Sequence, residues 1–269
     1  MADGASPGRA GGLARALSLG AAVMWLAAAG MATPAAAGCR LALAIGLDRS
    51  GSVDPDETRL MVEGMASALE DEGVRAAFLA LPGSPAELAI FEWSGERYQR
   101  LVLDWTQVGT EGDLDRIALR LRTQSPVEPP TETAVGSALL YGAAKLAERP
   151  GCRRLTLDLA GDGKSNAGPP PETLDFAPAG RTATLNALVI GLPEGRGADP
   201  GIAELTAYFR ARVIRGPGAF VEAALGYGDF SRAMSRKLRR ELEIVVGEGP
   251  AGRGGGLRLA AGAGPGEGR

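Results

Sequence analysis

An apolar run from Leu41 to Leu47 leads directly into Asp48-Arg-Ser-Gly-Ser52. The run has the length and continuous hydrophobicity of a strand that is buried on both faces of a sheet. Shortly afterwards, Asp54 and Pro55 predict a helix start, with Asp54 as N-cap and Pro55 at the first helical position. A buried strand, a polar loop and a helix in this order are typical of α/β proteins, whose ligands bind beyond the carboxyl ends of the strands.

The same alternation continues along the rest of the chain. Further strands are predicted near residues 87–93, 100–105, 152–160, 183–192 and 219–224, and helices near 55–72, 113–122, 134–148, 203–210 and 229–242. We therefore expect a single doubly wound α/β fold, with one mostly parallel sheet and helices on both of its faces.

The loop after the first strand carries oxygen donors at alternate positions, Asp48, Ser50 and Ser52. On a tight loop these oxygens can point to a common centre, and a set of oxygen-only ligands suits a hard divalent cation. The alternative is a strand-end turn whose hydroxyls cap the next helix.

Two later oxygen donors are expected at the same edge of the sheet. Thr133 opens a helix after a Pro-rich loop, and Asp162 follows the strand near 152–160. Thr133 could instead be a helix N-cap, Asp162 a plain turn residue, and Thr131 replaces Thr133 if the loop register differs. Together with the first loop, these residues predict a metal site formed by three loops.

Composition excludes several classes of function. The chain of 269 residues contains no histidine, which removes Ser-His-Asp and Cys-His catalysis and every zinc site that needs histidine. Gly163-Lys-Ser165 is not a phosphate-binding P-loop, because Asp158 stands where that motif requires glycine. A net charge of −3 indicates neither nucleic acid nor an anionic membrane surface as the partner.

The N-terminus has the pattern of a secretory signal peptide over residues 1–37. Arg9 and Arg15 precede an apolar stretch from Ala16 to Ala32, and small residues then allow cleavage near Ala37. The apolar stretch is too short for a membrane-spanning helix, so we expect no span in the mature protein. The folded domain is predicted over 38–246, followed by a disordered Gly/Ala-rich tail over 247–269. The mature protein is expected in the periplasm or outside the cell.

The two cysteines fit an oxidising compartment. Cys39 lies nine residues before Asp48, and Cys152 lies ten residues before Asp162. If the two strands are parallel neighbours, both sulfurs lie together at the opposite end of the sheet, and we expect a disulfide. The alternative is a lipoprotein cleavage site at Cys39, which would leave Cys152 unpaired.

The Asp48-Arg-Ser-Gly-Ser52 loop, the distant Thr133 and the Asp162-Gly pair at a strand end resemble the metal-ion-dependent adhesion site of von Willebrand factor A domains. The resemblance covers the chain from about Cys39 to Val246. Within that superfamily it is similar to an uncharacterised branch of exported bacterial proteins with a domain of unknown function. The segments that carry the narrower resemblance are residues 48–57, 133–139, 161–166 and 213–221.

The resemblance implies a metal site and its mode of action. Asp48, Ser50, Ser52, Thr133 and Asp162 would hold a divalent cation, Mg²⁺ first and Mn²⁺ or Ca²⁺ as alternatives, and a carboxylate of a protein partner would complete its coordination. Arg49 occupies a variable position of the motif, where a side chain that swings outward could steer an acidic partner.

The expected function is therefore an exported, non-enzymatic, metal-dependent protein-binding module. Two alternatives remain at this point: a metal-dependent phosphoester hydrolase that uses the same cation, and a structural domain whose metal site is vestigial.

Overall fold

The computed structural model describes residues 38–125, 127–191 and 201–247, except for the side chains of 244–247. The predicted signal peptide over 1–37 and the tail from residue 248 onward lie outside the described residues. Among the described residues, no helix is both long and apolar enough to cross a membrane.

Six strands form one sheet in the order β3-β2-β1-β4-β5-β6. All neighbouring strands run parallel except β2 and β3, which form an antiparallel pair at one edge. The strands are β1 Leu41–Asp48, β2 Ala86–Trp93, β3 Gln99–Val108, β4 Arg154–Gly161, β5 Thr184–Gly191 and β6 Val221–Leu225. The strand that carries the Asp48 loop is thus central, and β4, which leads to Asp162, is its direct neighbour.

The α-helices are α1 Pro55–Glu70, α2 Glu72–Leu79, α3 Glu111–Thr123, α4 Val135–Ala147, α5 Ile202–Tyr208 and α6 Phe230–Gly247. Single-turn helices occur at Pro171–Thr173, Pro178–Gly180 and Tyr227–Asp229, and a π-helical turn at Phe209–Val213 follows α5. The helix predicted over 55–72 ends at Glu70, and the short helix α2 that follows it was not predicted. Asp71 is extended, so it ends α1, and its side chain accepts from the Val74 N–H to begin α2.

The sheet has a hydrophobic core on each face, as period-two alternation along β1 requires. Leu43 and Ile45 face the core that α1, α2, α3 and α6 cover. Ala42 and Ala44 face the second core, which α4 and α5 cover. The prediction of a doubly wound, mostly parallel α/β fold is confirmed.

Cys39 and Cys152 form a disulfide with their Cα atoms 4.4 Å apart. Leu41 pairs with Arg154 where β1 and β4 begin, so the two preceding cysteines meet at the amino edge of the sheet. The predicted disulfide is confirmed, and a lipid-modified Cys39 is incompatible with it. The nearby Glu87 carboxylate completes no metal site, because both sulfurs are bonded to each other.

Candidate metal site at the carboxyl edge of the sheet

The structure brings the predicted ligands together at the carboxyl ends of β1 and β4. Asp48 is the last residue of β1, and Asp162 directly follows the last residue of β4. Asp48 and Ser50 are buried, Ser52 is exposed, Thr133 is buried just before α4, and Asp162 is partly exposed. The candidate site therefore combines buried residues with residues that are accessible to solvent.

Short contacts connect the two loops across the β1–β4 boundary. The Ser50 N–H donates to Asp48 Oδ1 at 2.8 Å, which folds the loop back over the strand end. The Ser50 and Ser52 hydroxyl oxygens lie 3.4 Å apart. The Ser52 hydroxyl in turn donates to Asp162 Oδ1 at 2.7 Å. Four of the five predicted ligands thus form one continuous cluster.

Thr133 reaches the same cluster from the third loop. A Cβ built on Gly163, next to Asp162, would lie 3.6 Å from Thr133 Oγ1. Asn166 holds the Thr133 backbone on both sides: its Oδ1 accepts from the Thr133 N–H at 2.8 Å, and its own N–H donates to the Thr133 carbonyl at 2.9 Å. Thr131 instead is exposed. Thr133 thus lies next to the residue that follows Asp162, whereas Thr131 lies next to Gly51 in the first loop.

Helix capping does not account for these hydroxyls. The N-cap of α1 is Asp54, whose carboxylate accepts from the backbone N–H groups of Asp56 and Glu57. At α4 the N-cap is Ala134, and no side chain caps that helix. Ser50, Ser52 and Thr133 are therefore not held in place by a capping role.

The Asp48 carboxylate is poorly satisfied by protein groups. Its Oδ2 is buried and accepts no hydrogen bond from the described residues. Burial, and secondly the charge of Asp162, raise the pKa of Asp48 to about 7, although hydrogen bonds from Ser50 and from the Asp162 backbone oppose the shift. A divalent cation between the two carboxylates would supply the missing partner and remove their repulsion. The donor set of carboxylates and hydroxyls fits such a cation.

Gly161 allows the Asp48 carboxylate to lie close to the end of β4. A Cβ on Gly161 would lie 2.8 Å from Asp48 Oδ2 and 3.3 Å from the Trp93 ring. Any side chain at the end of β4 would consequently push the Asp48 carboxylate away from Asp162.

Tyr227 belongs to the site, although sequence reasoning missed it. Its hydroxyl donates to Asp162 Oδ2 at 3.0 Å from the single-turn helix between β6 and α6. Burial, then the negative charges of Asp162 and Asp48, raise the pKa of Tyr227, so the hydroxyl stays protonated and remains a donor. No local pattern indicates this role, because the two residues are 65 positions apart.

Arg49 does not have the outward orientation in which it could steer an acidic partner. Its guanidinium turns inward, with only 8% of the residue exposed, and donates from Nη1 to Glu92 Oε1 at 2.8 Å. Arg100 contacts the other oxygen of Glu92 at 2.8 Å. Glu92 thus holds Arg49 in place and shares its single negative charge between Arg49 and Arg100.

Solved structures share this fold. Proximal thread matrix protein 1 from the mussel byssus has a TM-score of 0.52 and 16% identity, over 77% of this chain and 48% of the mussel protein. The pilus adhesin SpaC from Lactobacillus rhamnosus GG also has a TM-score of 0.52, with 14% identity over 77% of this chain and 31% of SpaC. A von Willebrand factor type A protein from Catenulispora acidiphila has a TM-score of 0.47 and 18% identity, over 78% of this chain and 43% of that protein.

A further structure of the mussel protein, with a TM-score of 0.49 and 17% identity over 77% of this chain and 48% of that protein, is described as having a zinc-occupied metal-ion-dependent adhesion site. The chain spans about half, or less, of the length of these solved proteins. A search of curated proteins finds no match.

The sheet topology and the likeness to the mussel protein and the pilus adhesin define the class by fold alone: a doubly wound α/β domain with a candidate metal site at the carboxyl edge of its sheet. Within that class, the chain belongs to the family described as "Protein of unknown function (DUF1194)", whose match covers residues 38–246.

Proposed function

We propose that this protein is an exported, non-enzymatic module that binds a protein partner through a divalent cation. Asp48, Ser50, Ser52, Thr133 and Asp162 hold the cation, with Mg²⁺ first and Mn²⁺ or Ca²⁺ as alternatives. A carboxylate of the partner occupies the remaining coordination position.

One observation carries the proposal: Asp48 and Asp162, at the ends of the neighbouring strands β1 and β4, are linked through Ser50 and Ser52, and Asp48 Oδ2 is buried with no hydrogen-bond donor assigned to it among the described residues. Such an arrangement raises the free energy of the metal-free fold, because two carboxylates repel each other at a partly dehydrated edge. A bound cation removes the repulsion between the two carboxylates and thereby stabilises the fold.

The charges of the five protein ligands are consistent with a carboxylate of the partner as the remaining ligand of the cation. Three of the five protein ligands are neutral hydroxyls, so the two carboxylates balance a divalent charge without exceeding it. Mg²⁺ takes six oxygen ligands and keeps waters that an incoming group can replace. Because Ser52 is exposed, a carboxylate of the partner can approach the site from solvent.

Export is supported by the signal-like leader and by the disulfide, since disulfides persist in oxidising compartments. Two solved proteins with this fold are described as a byssus thread matrix protein and a pilus adhesin. Their likeness shows the fold, and the adhesive role of this chain is part of the proposal.

Titration calorimetry of the protein with Mg²⁺, Mn²⁺ and Ca²⁺ tests the cation site. We expect one site per chain, lost in Asp48→Ala and retained in Asp115→Ala. Asp115 is a matched control because its exposed carboxylate pairs with Arg75 on α2. Absence of binding by all three cations would identify the site as vestigial.

Capture from an envelope extract, with and without EDTA, tests the binding role. The wild-type protein should retain partners only in the presence of the cation, and Asp48→Ala should retain none of them. Equal capture with EDTA present contradicts the proposal. Hydrolysis of generic phosphoesters with Mg²⁺, lost in Asp162→Ala, would contradict the non-enzymatic part.

A further inference from the structure

A groove lies beside the candidate metal site, between the start of α1 and the Pro-rich loop after α3. Its volume is about 510 Å³, within the range of sites that accommodate a ligand side chain or a short segment. Its apolar lining comes from both walls and comprises Val53, Pro55, Val127, Pro129 and Pro130. Val127 is 41% exposed, which leaves an apolar side chain open at the groove.

The groove and the metal site share a wall. Ser50 and Gly51, from the loop that carries the predicted ligands, line the groove as well. A ligand whose carboxylate reached the cation would therefore have its neighbouring atoms at the entrance of the groove.

Hydrogen bonds hold the two walls together. The Gly51 N–H donates to the Thr131 carbonyl at 2.9 Å, and Arg49 Nη2 donates to the Val127 carbonyl at 3.4 Å. The prolines of the loop also restrict its backbone. A groove with walls fixed in advance loses little conformational entropy when a ligand enters it, which favours binding.

The charges around the groove select the ligand further. Exposed carboxylates occur on both walls: Glu128 lines the groove, and Asp54 and Asp56 stand on either side of the lining residue Pro55, with Asp56 paired to Arg59 at 3.0 Å. The guanidinium of Arg49, which lines the groove, is already paired with Glu92. Glu128 would attract a basic group and repel an acidic one at its wall of the groove, whereas a bound cation would attract a carboxylate.

We propose that the groove binds the residues that flank the metal-binding carboxylate of the partner. The occupant is a protein segment with one Asp or Glu at the cation, an aliphatic or aromatic side chain against Val127 and the prolines, and a Lys or Arg near Glu128. This inference rests on the proposed function and adds the sequence character of the partner.

Selection of displayed random peptides on the protein in Mg²⁺, with elution by EDTA, tests the inference. We expect eluted peptides to combine one acidic residue with a nearby apolar residue and a basic one. The affinity of a selected peptide, measured by fluorescence anisotropy, should fall about tenfold in Val127→Ser, which removes apolar contact area. In Glu128→Lys the preference for the basic flanking residue should disappear.

Leu140→Ser is the matched control, because Leu140 is 46% exposed on α4, which covers the opposite face of the sheet. It should leave the affinity unchanged. One outcome would contradict the role of the groove but not the proposed function. In that outcome, peptide binding depends on Mg²⁺ and on Asp48 but is equally strong in wild type and Val127→Ser. If no peptide is eluted by EDTA, or if Asp48→Ala binds equally well, the proposed function itself fails and the inference fails with it.

Discussion

The guanidinium of Arg49 lies 2.8 Å from the buried carboxylate of Glu92, which links the loop of the candidate metal site to the end of β2. Arg100 on β3 contacts the other oxygen of the same carboxylate and also donates to Gln124 at 2.8 Å. One buried acidic group thus connects the metal loop, the antiparallel edge of the sheet and the residue that follows α3.

Replacing Glu92 by Gln should lower the free energy of unfolding by about 3 kcal/mol, because Arg49 is left buried without its counter-charge. Urea denaturation measures the change. Glu111→Gln is the control, since Glu111 is 69% exposed and lies 3.7 Å from Arg75. That variant should lose no more than about 0.5 kcal/mol. Equal losses in the two variants would contradict the role of the Glu92 network.

Replacing Tyr227 by Phe should weaken Mg²⁺ binding about tenfold, because the variant removes the hydroxyl that orients Asp162. Titration calorimetry measures the dissociation constant. Tyr141→Phe removes a hydroxyl from a tyrosine that packs on Phe91, and it should bind Mg²⁺ like the wild type. An unchanged Mg²⁺ affinity in Tyr227→Phe would show that Asp162 needs no such support.

Two residues of α6 and one of β4 form a buried charged cluster. Lys237 is fully buried and lies 2.5 Å from both Asp158 and Glu241. Lys237→Met should reduce the free energy of unfolding by about 3–5 kcal/mol, because two buried carboxylates then lack their cation. Glu241→Gln keeps the Oε1 acceptor that Asn186 contacts at 2.6 Å, so it should cost little. Similar losses in both variants would contradict this account.

The same cluster predicts a dependence on pH. Burial, and secondly the charge of Asp158, raise the pKa of Glu241 well above its ordinary value of 4.5. A raised pKa in the folded state means that stability is greatest below the unfolded pKa and is lost as pH rises through the folded pKa. Chemical denaturation over a pH series should therefore show the free energy of unfolding of Glu241→Gln rising relative to that of wild type as pH increases. A stability difference between the two proteins that does not change with pH would contradict this prediction.

The disulfide provides a prediction that is independent of the metal. Free-thiol labelling of protein purified from the periplasm should modify neither Cys39 nor Cys152. The bond closes a loop with a sequence separation of 113 residues, so its removal in a double Cys→Ser variant should cost about 2–5 kcal/mol of unfolding free energy. Quantitative labelling of both residues in folded, unreduced protein would contradict the bond.

Much of the fold and of the site was predictable because its signals are local. The apolar run before Asp48 identifies a buried strand, and the strand that ends before Asp162 places a second carboxylate at the same edge. The offsets of Cys39 and Cys152 from those loops led to the disulfide because parallel strands keep their register. The short helix α2 was missed, since Gly73 in its first turn favours the end of a helix rather than its start.

What the sequence determined by itself is the order of strands, helices and strand-end donors, because side-chain periodicity and capping act between residues close in the chain. Only the tertiary structure decided which strands are neighbours and which distant side chains meet. The pairing of Arg49 with Glu92 and of Tyr227 with Asp162 joins residues 43 and 65 positions apart. Such contacts depend on how helices and strands pack, so no local pattern records them.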